Sequence, residues 1–273
     1  MGKLGKLWKA FTSIVRQPSL LNLIIDTNQN WYKYVEKRYG LGAGLPVAEL
    51  STLFPDFRAN IPTFAFLDGG SLPTDIALLM KLAQRIPDCS YFEIGTWRGE
   101  SVVNVANIAK ECYTLNLPDE EMRKAGQPEN FIELIGFFSK DKKNITHLKG
   151  NSFDFDFVGL NKKFDLIFID GDHHYEAVKN DTKKIFESLV HDKSVVVWHD
   201  YARSPEVVRF EVFAGILDGM LPQRHRYLYH VGNTLSAIYY PSEALAKHPL
   251  INPTKPNHYF ELDLKLNPML KKE

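Results

Sequence analysis

The sequence predicts an α/β protein with a doubly wound sheet of seven strands, mostly parallel, with an antiparallel strand near the C-terminus. Short apolar runs alternate with segments of helical periodicity over residues 71–241, as successive βαβ units do. Two runs, DLIFI (165–169) and SVVVW (194–198), are almost continuously apolar, which is typical of strands covered on both faces. A mostly helical extension (1–70), whose loops are a candidate lid over a site on this domain, and a tail (242–273) are predicted to flank it.

The elements follow from periodicity and from Gly and Pro punctuation. Strands are predicted at 90–95, 112–117, 144–151, 164–170, 194–200, 225–231 and 235–240. Helices are predicted at 71–86, 98–111, 175–189 and 205–220, with a polar helical stretch after the second strand. Ser71 is the expected cap of the first, with Pro73 early in it. Gly232-Asn233 predicts a hairpin-like turn, so the last two strands run antiparallel to each other.

Composition excludes several classes of protein. The formal net charge is zero, so no overall field favours nucleic acid as a partner. Cys89 and Cys112 lack metal-site spacing and cannot build a disulfide framework, which indicates core residues in a reducing, cytoplasmic setting. No apolar run approaches the roughly 18 residues of a membrane span.

The N-terminal stretch MGKLGKLWKAFTSIVRQP has the spacing of an amphipathic helix, with its basic residues mostly away from the apolar side. Such a helix packs on its own core, packs on another subunit of a homo-oligomer, or lies on an anionic membrane. The sequence leaves these three alternatives open, with packing favoured. The third would place the protein at the inner face of a membrane.

Polar residues follow the predicted strands where each strand ends. They are Glu93, Asn116, Asn151, Asp170, His199 and Asp200. Because parallel strands end at one edge of a sheet, these residues should share a rim at which ligands bind. The stretch IDGDHHYE adds His173 to that rim, while Asp172 is expected to cap the next helix and His174 to be solvated.

The first strand runs into EIGTWRGES (93–101). Gly95 permits a sharp turn, and Gly99 lets a ligand approach the start of the next helix, whose free N–H groups favour a carboxylate. The glycines read G-x-x-x-G, and the G-x-G-x-x-G of dinucleotide-binding proteins is absent. That spacing, with no acid on the second strand, argues against a nicotinamide-dependent oxidoreductase.

EIGTWRGES resembles the first motif of class I S-adenosylmethionine (SAM) methyltransferases, and IDGDHHYEAVKND with VVWHDY is similar to a subgroup that includes sugar and natural-product O-methyltransferases. The resemblance covers about residues 71–240 and implies a Rossmann-like methyltransferase sheet and a small-molecule or glycan acceptor. It implies a methionine-end site of Glu93, Gly95, Thr96, Trp97, Gly99 and Ser101. It places Asn116 and Leu117 at the ribose, and Asn151, Ser152 and Phe153 at the adenine. Asn116 and Asn151 depart from the more usual acids, which keeps open a SAM- or glycan-binding protein without turnover.

The resemblance also suggests chemistry for the rim. Metal-dependent O-methyltransferases place one acid after the fourth strand and a pair after the fifth, which Asp170, His199 and Asp200 match. These residues would hold Mg²⁺ or another divalent cation, and Asp170 would also face the cofactor. A histidine suits the general base that takes the proton of an acceptor hydroxyl. His173 is the first candidate and His199 the second.

Overall fold

The structure, a computed structural model, describes residues 2–21, 27–242 and 244–268. In these ranges the α-helices are α1 (Lys3–Arg16), α2 (Asn28–Tyr39), α3 (Leu50–Leu53), α4 (Pro73–Gln84), α5 (Glu100–Val105), α6 (Asp119–Lys124), α7 (Glu129–Ile132), α8 (Tyr175–Ser188) and α9 (Phe210–Gly219). The strands are β1 (Val47–Ala48), β2 (Ser90–Ile94), β3 (Glu111–Asn116), β4 (Ile145–Lys149), β5 (Leu166–Ile169), β6 (Val195–Trp198), β7 (Ala202–Ser204), β8 (Val207–Val208), β9 (Leu228–Val231) and β10 (Ala237–Tyr239). Short 3-10 helices cover Pro18–Leu21, Val158–Leu160 and Pro222–Tyr227.

Eight strands form the main sheet in the order β1-β9-β10-β6-β5-β2-β3-β4. The pairs from β4 through β6 are parallel, and β10 runs antiparallel to both β6 and β9. The chain winds outward from β2 to β4, then crosses back to β5 and winds the other way. The predicted doubly wound fold is confirmed, and its strand order reverses between β2 and β5. In such sheets the carboxyl ends of the strands beside this reversal form the ligand crevice.

The sheet has one more strand than the seven predicted. Strand β1 comes from the N-terminal extension and pairs in parallel with β9, Val47 opposite His230 and Ala48 opposite Val231. A two-residue strand shows no periodicity, so the sequence gives no signal for it. Part of the extension is thus built into the main sheet.

Each central strand divides its side chains between two apolar layers. On β5, Leu166 and Phe168 join one buried cluster, while Ile167 and Ile169 join the cluster on the other face. This is the alternation of a strand covered on both sides, as the apolar runs predicted. Cys89 and Cys112 are free and buried in the core, as expected.

Two predicted helix starts and one helix end are wrong. The helix expected from Pro205 begins at Phe210, because β7 and β8 pair as an antiparallel hairpin around that proline. Ser71 is not the cap of α4, since Pro73 takes the first helical position and makes Leu72 the N-cap. The helix expected at 98–111 is confined to α5, which ends at Val105.

Candidate functional site

Two glycines shape the loop that follows β2, here called the glycine loop (residues 95–99). Gly95 has φ +96°, and a Cβ there would lie 1.9 Å from the backbone oxygen of Asp170. Gly99 has φ +78°, and its Cβ would lie 2.3 Å from Oγ of Ser139. Any side chain would therefore clash at both positions, and the left-handed backbone favours glycine as well. The loop passes directly over the end of β5.

A pocket lies between the glycine loop and the end of the N-terminal extension. Its walls are residues 69–71 and 95–101, together with Asp170. The extension is fixed there by hydrogen bonds from the Ala65 N–H to Oε1 of Glu100 (2.5 Å) and from Arg98 to the carbonyl of Asp68 (2.8 Å). The sequence suggested that extension loops reach over the site, but it did not indicate which residues do so.

Trp97 carries an unsatisfied donor in the pocket wall. Its indole Nε1 is buried and has no hydrogen-bond partner among the described residues. Its ring centroid lies 4.5 Å from that of Phe131, and the Arg98 guanidinium lies 4.5 Å from the indole ring. A buried N–H without an acceptor is destabilising, so an acceptor on a bound ligand would relieve a cost of about 1–3 kcal/mol.

Of the residues that were expected to bind the cofactor, Glu93 is the most deeply buried. Its carboxylate accepts hydrogen bonds of 2.8 Å from the hydroxyls of Tyr91, Ser101 and Thr114. Burial raises its pKa to about 8, although these three donors act in the opposite direction. Glu93 is fully buried and does not line the pocket, so its oxygens hold β2, β3 and α5 together.

The residues expected at the ribose and the adenine lie beyond the pocket, at the ends of β3 and β4. Asn116 Oδ1 lies 3.5 Å from the N–H of Thr96, which joins this surface to the glycine loop. Leu117 is 37% exposed and Phe153 is 52% exposed, so both offer apolar surface to a ligand. The carbonyl of Ser152 accepts a hydrogen bond from Asn180 and is held against α8.

Sequence reasoning missed an acid on this surface. Asn151 Nδ2 donates to Oε2 of Glu121 at 3.4 Å, and Glu121 is only partly exposed. The carboxylate lies near the strand ends where Asn116 and Asn151 replace the acids that the resemblance leads one to expect. Three successive acids, Asp119 to Glu121, open α6, and nothing in the sequence distinguishes Glu121 from the other two.

Three partly buried residues form an acid–histidine cluster beside the pocket: Asp170, His173 and Asp200. Their ligand atoms all lie within 4.8 Å of one another, because β5 and β6 are adjacent parallel strands that end side by side. His173 Nε2 lies 3.0 Å from Oδ2 of Asp200. Burial lowers the pKa of His173, but Asp200 and Asp170 outweigh it and the net shift is upward. For the Asp200 carboxyl, burial raises the pKa, but His173 and His199 outweigh burial and bring the pKa well below its ordinary value.

His199 lies behind this cluster and is only 7% exposed. Its Nδ1 is 3.0 Å from Oδ1 of Asp170 and 3.4 Å from Oδ2 of Asp200, and its Nε2 is 3.6 Å from Oδ2 of Asp75. Neither ring nitrogen is aligned for a hydrogen bond, so these are contacts between charges. Burial would lower the pKa of His199, but the carboxylates raise it well above its usual value.

His199 is thus packed among carboxylates that favour its protonated form. The predicted metal set was Asp170, His199 and Asp200, and the group whose ligand atoms all lie within 4.8 Å of one another contains His173 in place of His199. The metal role itself stays a prediction.

Asp75 is the second acid that the sequence analysis missed. It is fully buried on α4 and accepts hydrogen bonds from Leu72 (3.0 Å), Leu235 (2.9 Å) and Ser236 (2.7 Å). In the sequence it reads only as an acid in the first turn of a helix. Its link to His199 arises because α4 packs against the β9–β10 turn, a contact between distant parts of the chain.

The neighbouring Asp172 and His174 are exposed. Asp172 accepts a hydrogen bond of 2.9 Å from the N–H of His174, the N-cap residue of α8. It supports the turn that leads into the helix, and it does not bond the first-turn N–H groups as the predicted cap would.

The reversed strand order and the polar rim are those of open α/β proteins, which as a class bind ligands at the carboxyl edge of the sheet. Residues 92–201, which contain the glycine loop and the acid–histidine cluster, match the family model described as Methyltransferase domain. This segment of the chain is similar to methyltransferase domains.

The chain is also similar to individual proteins. It is 31% identical over 127 residues to uncharacterized protein R132 of Acanthamoeba polyphaga mimivirus, over 44% of this chain and 57% of that relative. A SAH-bound methyltransferase of Podospora anserina shows 16% identity and a TM-score of 0.43, covering 78% of this chain and 87% of the other. A ribosomal protein L11 methylase of Lactobacillus delbrueckii subsp. bulgaricus shows 18% identity and a TM-score of 0.37, covering 60% and 77%.

Proposed function

We propose that this protein is a SAM-dependent methyltransferase that transfers a methyl group to a hydroxyl group. One observation carries the proposal: the glycine loop opens a pocket directly beside the acid–histidine cluster, and Asp170 belongs to both. A methyl donor held by the loop would thus lie next to groups able to accept a proton. The match of residues 92–201 to a methyltransferase domain supports this assignment.

The residues that line the pocket suit the polar methionine end of SAM. Gly95 lets the glycine loop pass against the carbonyl of Asp170, and the unpartnered N–H of Trp97 is a donor suited to a carboxylate. Asn116 lies at the end of β3, and Glu121 on α6 accepts from Asn151 at the end of β4; an amide and a carboxylate there suit ribose hydroxyls and the adenine amino group. Phe153 offers an apolar surface beside them.

When bound, SAM supplies a methyl group activated by its sulfonium sulfur. The acceptor oxygen forms the new C–O bond as the C–S bond breaks, and the bonding electron pair stays on sulfur. His173 takes the hydroxyl proton. Because Asp200 holds Nε2–H of His173, the other ring nitrogen, Nδ1, is the basic atom. The acceptor class, a sugar, glycan precursor or natural product, rests on the resemblance of IDGDHHYEAVKND and VVWHDY alone.

A metal-assisted form of the same reaction is a second candidate. The acid–histidine cluster presents two carboxylates and one imidazole within 4.8 Å, a donor set that suits Mn²⁺, Fe²⁺ or Mg²⁺. A bound divalent cation would lower the pKa of the acceptor hydroxyl. The residues that would hold it are Asp170, His173 and Asp200. His199 lies behind this group, with its Nδ1 3.0 Å from Oδ1 of Asp170.

Calorimetry with SAM and SAH, first with Mg²⁺ and then with EDTA, tests the proposal. Saturable one-site binding is expected. Binding that weakens in EDTA, and is no longer affected by EDTA in Asp170→Ala, would favour the metal-assisted form. Absence of binding to either compound would contradict a methyltransferase.

A matched pair of histidine variants tests the base. His173→Gln should bind SAM normally but lower the rate of methyl transfer to a sugar panel by about 10²–10⁴-fold. His174→Gln is the matched control. The ring of His174 is exposed, so this substitution should change neither SAM binding nor the rate of transfer. Binding of SAM with no transfer by the wild type to any acceptor tested would favour a binding protein without turnover.

A further inference from the structure

Helix α1 presents a large apolar face to its surroundings. Leu4, Leu7, Trp8, Phe11 and Val15 are 84%, 70%, 69%, 58% and 64% exposed. At 3.6 residues per turn these five side chains fall on one side of the helix. No residue of α1 is buried, so none of the residues that the structure describes covers this face. A contiguous exposed apolar patch of this kind marks an interaction surface.

The charge of this segment has one sign. Lys3, Lys6, Lys9 and Arg16 are basic, and residues 1–21 contain no acidic residue. The rest of the chain contains 29 basic and 33 acidic residues and has a net negative charge, so the compensating net positive charge of this neutral chain lies in residues 1–21. The three lysines lie on the side of the helix opposite the apolar face or flank it, which is the arrangement of helices that lie at membrane surfaces.

We propose that α1 is a docking element for an anionic lipid membrane and lies in the plane of the interface. Its apolar face would enter the boundary between headgroups and acyl chains, and its lysines would contact anionic headgroups. Its 14 residues span about 21 Å, which is shorter than the roughly 30 Å of a hydrocarbon core. None of the helices in the described residues is long and apolar enough to cross a membrane.

Charge complementarity selects a membrane over a second copy of the helix. Two α1 helices packed through their apolar faces would cover these faces, but their eight basic residues would gain no acidic partner from either residue 1–21 segment. An anionic lipid surface instead attracts each basic residue and accepts the apolar face. This inference stands apart from the proposed methyl transfer, since it concerns a helix that contributes nothing to the pocket.

Sedimentation of the full chain with vesicles tests the proposal. One set contains three parts phosphatidylcholine to one part phosphatidylserine, and the other contains phosphatidylcholine only. We expect binding to the anionic vesicles that weakens at high salt, with partitioning at least about tenfold stronger than to the neutral ones. Leu7→Glu/Phe11→Glu and Lys6→Glu/Lys9→Glu should each reduce anionic-vesicle partitioning at least about tenfold.

The matched control is Leu262→Glu/Leu266→Glu in the C-terminal tail, where the two leucines are 71% and 98% exposed. It adds the same charge at apolar positions that are at least as exposed as Leu7 and Phe11, and it should leave partitioning within about twofold of wild type, since electrostatic attraction fades within a Debye length. Failure of the wild type to bind anionic vesicles would overturn the proposal. So would a dimer, detected by light scattering, that Leu7→Glu/Phe11→Glu dissociates. Calorimetry with SAM remains independent of both outcomes.

Discussion

At the scale of single residues, the site depends on an internal cation. Asp75, Asp170 and Asp200 approach one another from three elements, and such a group of carboxylates repels itself. The His199 imidazolium lies among all three at 3.0–3.6 Å. It therefore compensates the acids of the rim and fixes the ends of β5 and β6 relative to α4. This role separates His199 from His173, for which we propose the role of general base.

His199→Asn should lower the free energy of unfolding by about 3 kcal/mol, because it leaves buried carboxylates without their counter-charge. Urea unfolding measured at neutral pH checks this value. His191→Asn is the control, since His191 pairs with Asp165 at 3.1 Å near the surface and should cost no more than about 1 kcal/mol. Equal losses in the two variants would contradict an internal-cation role.

Glu93 should make stability depend on pH. Its pKa is raised from 4.5 to about 8 in the folded protein, so the folded state binds the proton more tightly than the unfolded state. Its contribution to stability is then fully present below pH 4.5 and declines as the pH rises toward about 8. Glu93→Gln cannot titrate and should flatten this decline. Thermal unfolding from pH 5 to 9 gives the comparison, and identical slopes for both proteins would rule out the effect.

At the scale of elements, one acid fixes the N-terminal extension to the domain. Asp218 on α9 accepts hydrogen bonds from the hydroxyls of Tyr34 and Tyr39 on α2 and of Tyr175 on α8. Arg38 adds an ion pair of 3.3 Å. Burial raises the pKa of Asp218, but these donors outweigh it and bring the pKa below its ordinary value. Helix α2 is thereby held to two helices of the main domain at a single carboxylate.

Asp218→Ala should free α2 from the domain while the sheet stays folded, because three hydroxyls lose their acceptor at about 1 kcal/mol each. Hydrogen exchange should become faster in residues 28–39 and stay unchanged in β5. Glu187→Ala on the exposed side of α8 is the control, since Glu187 has only a 3.9 Å contact with Lys183. Unchanged protection of residues 28–39 in Asp218→Ala would mean that apolar contacts alone hold α2.

At the scale of the molecule, the sequence predicts what local patterns encode. The seven strands of the domain appear at their predicted places, because short apolar runs such as LIFI are typical of buried strands. The importance of Gly95 and Gly99 was predicted from sequence, because glycine is the residue that adopts the left-handed backbone of a sharp turn. Asp75, Glu121 and the 69–71 wall were missed, since each reaches the site through tertiary contacts between distant segments. The burial of His199 among three acids is invisible in sequence, because Asp75 comes from a distant segment.

The same distinction predicts how the chain tolerates truncation. Removal of residues 1–21 deletes α1, none of whose residues is buried, so the free energy of unfolding should change by less than about 0.5 kcal/mol. Removal of residues 1–70 also deletes β1 and the buried Leu50, Leu53 and Phe54, and it exposes the edge of β9. Loss of each large core side chain costs about 2–5 kcal/mol, so three exhaust a typical stability of about 5–15 kcal/mol.

Expression followed by calorimetric unfolding should give a soluble protein with a normal transition when residues 1–21 are removed, and aggregated protein when residues 1–70 are removed. A soluble, cooperatively folded 71–273 fragment would show that the extension is an independent appendage and not part of the sheet.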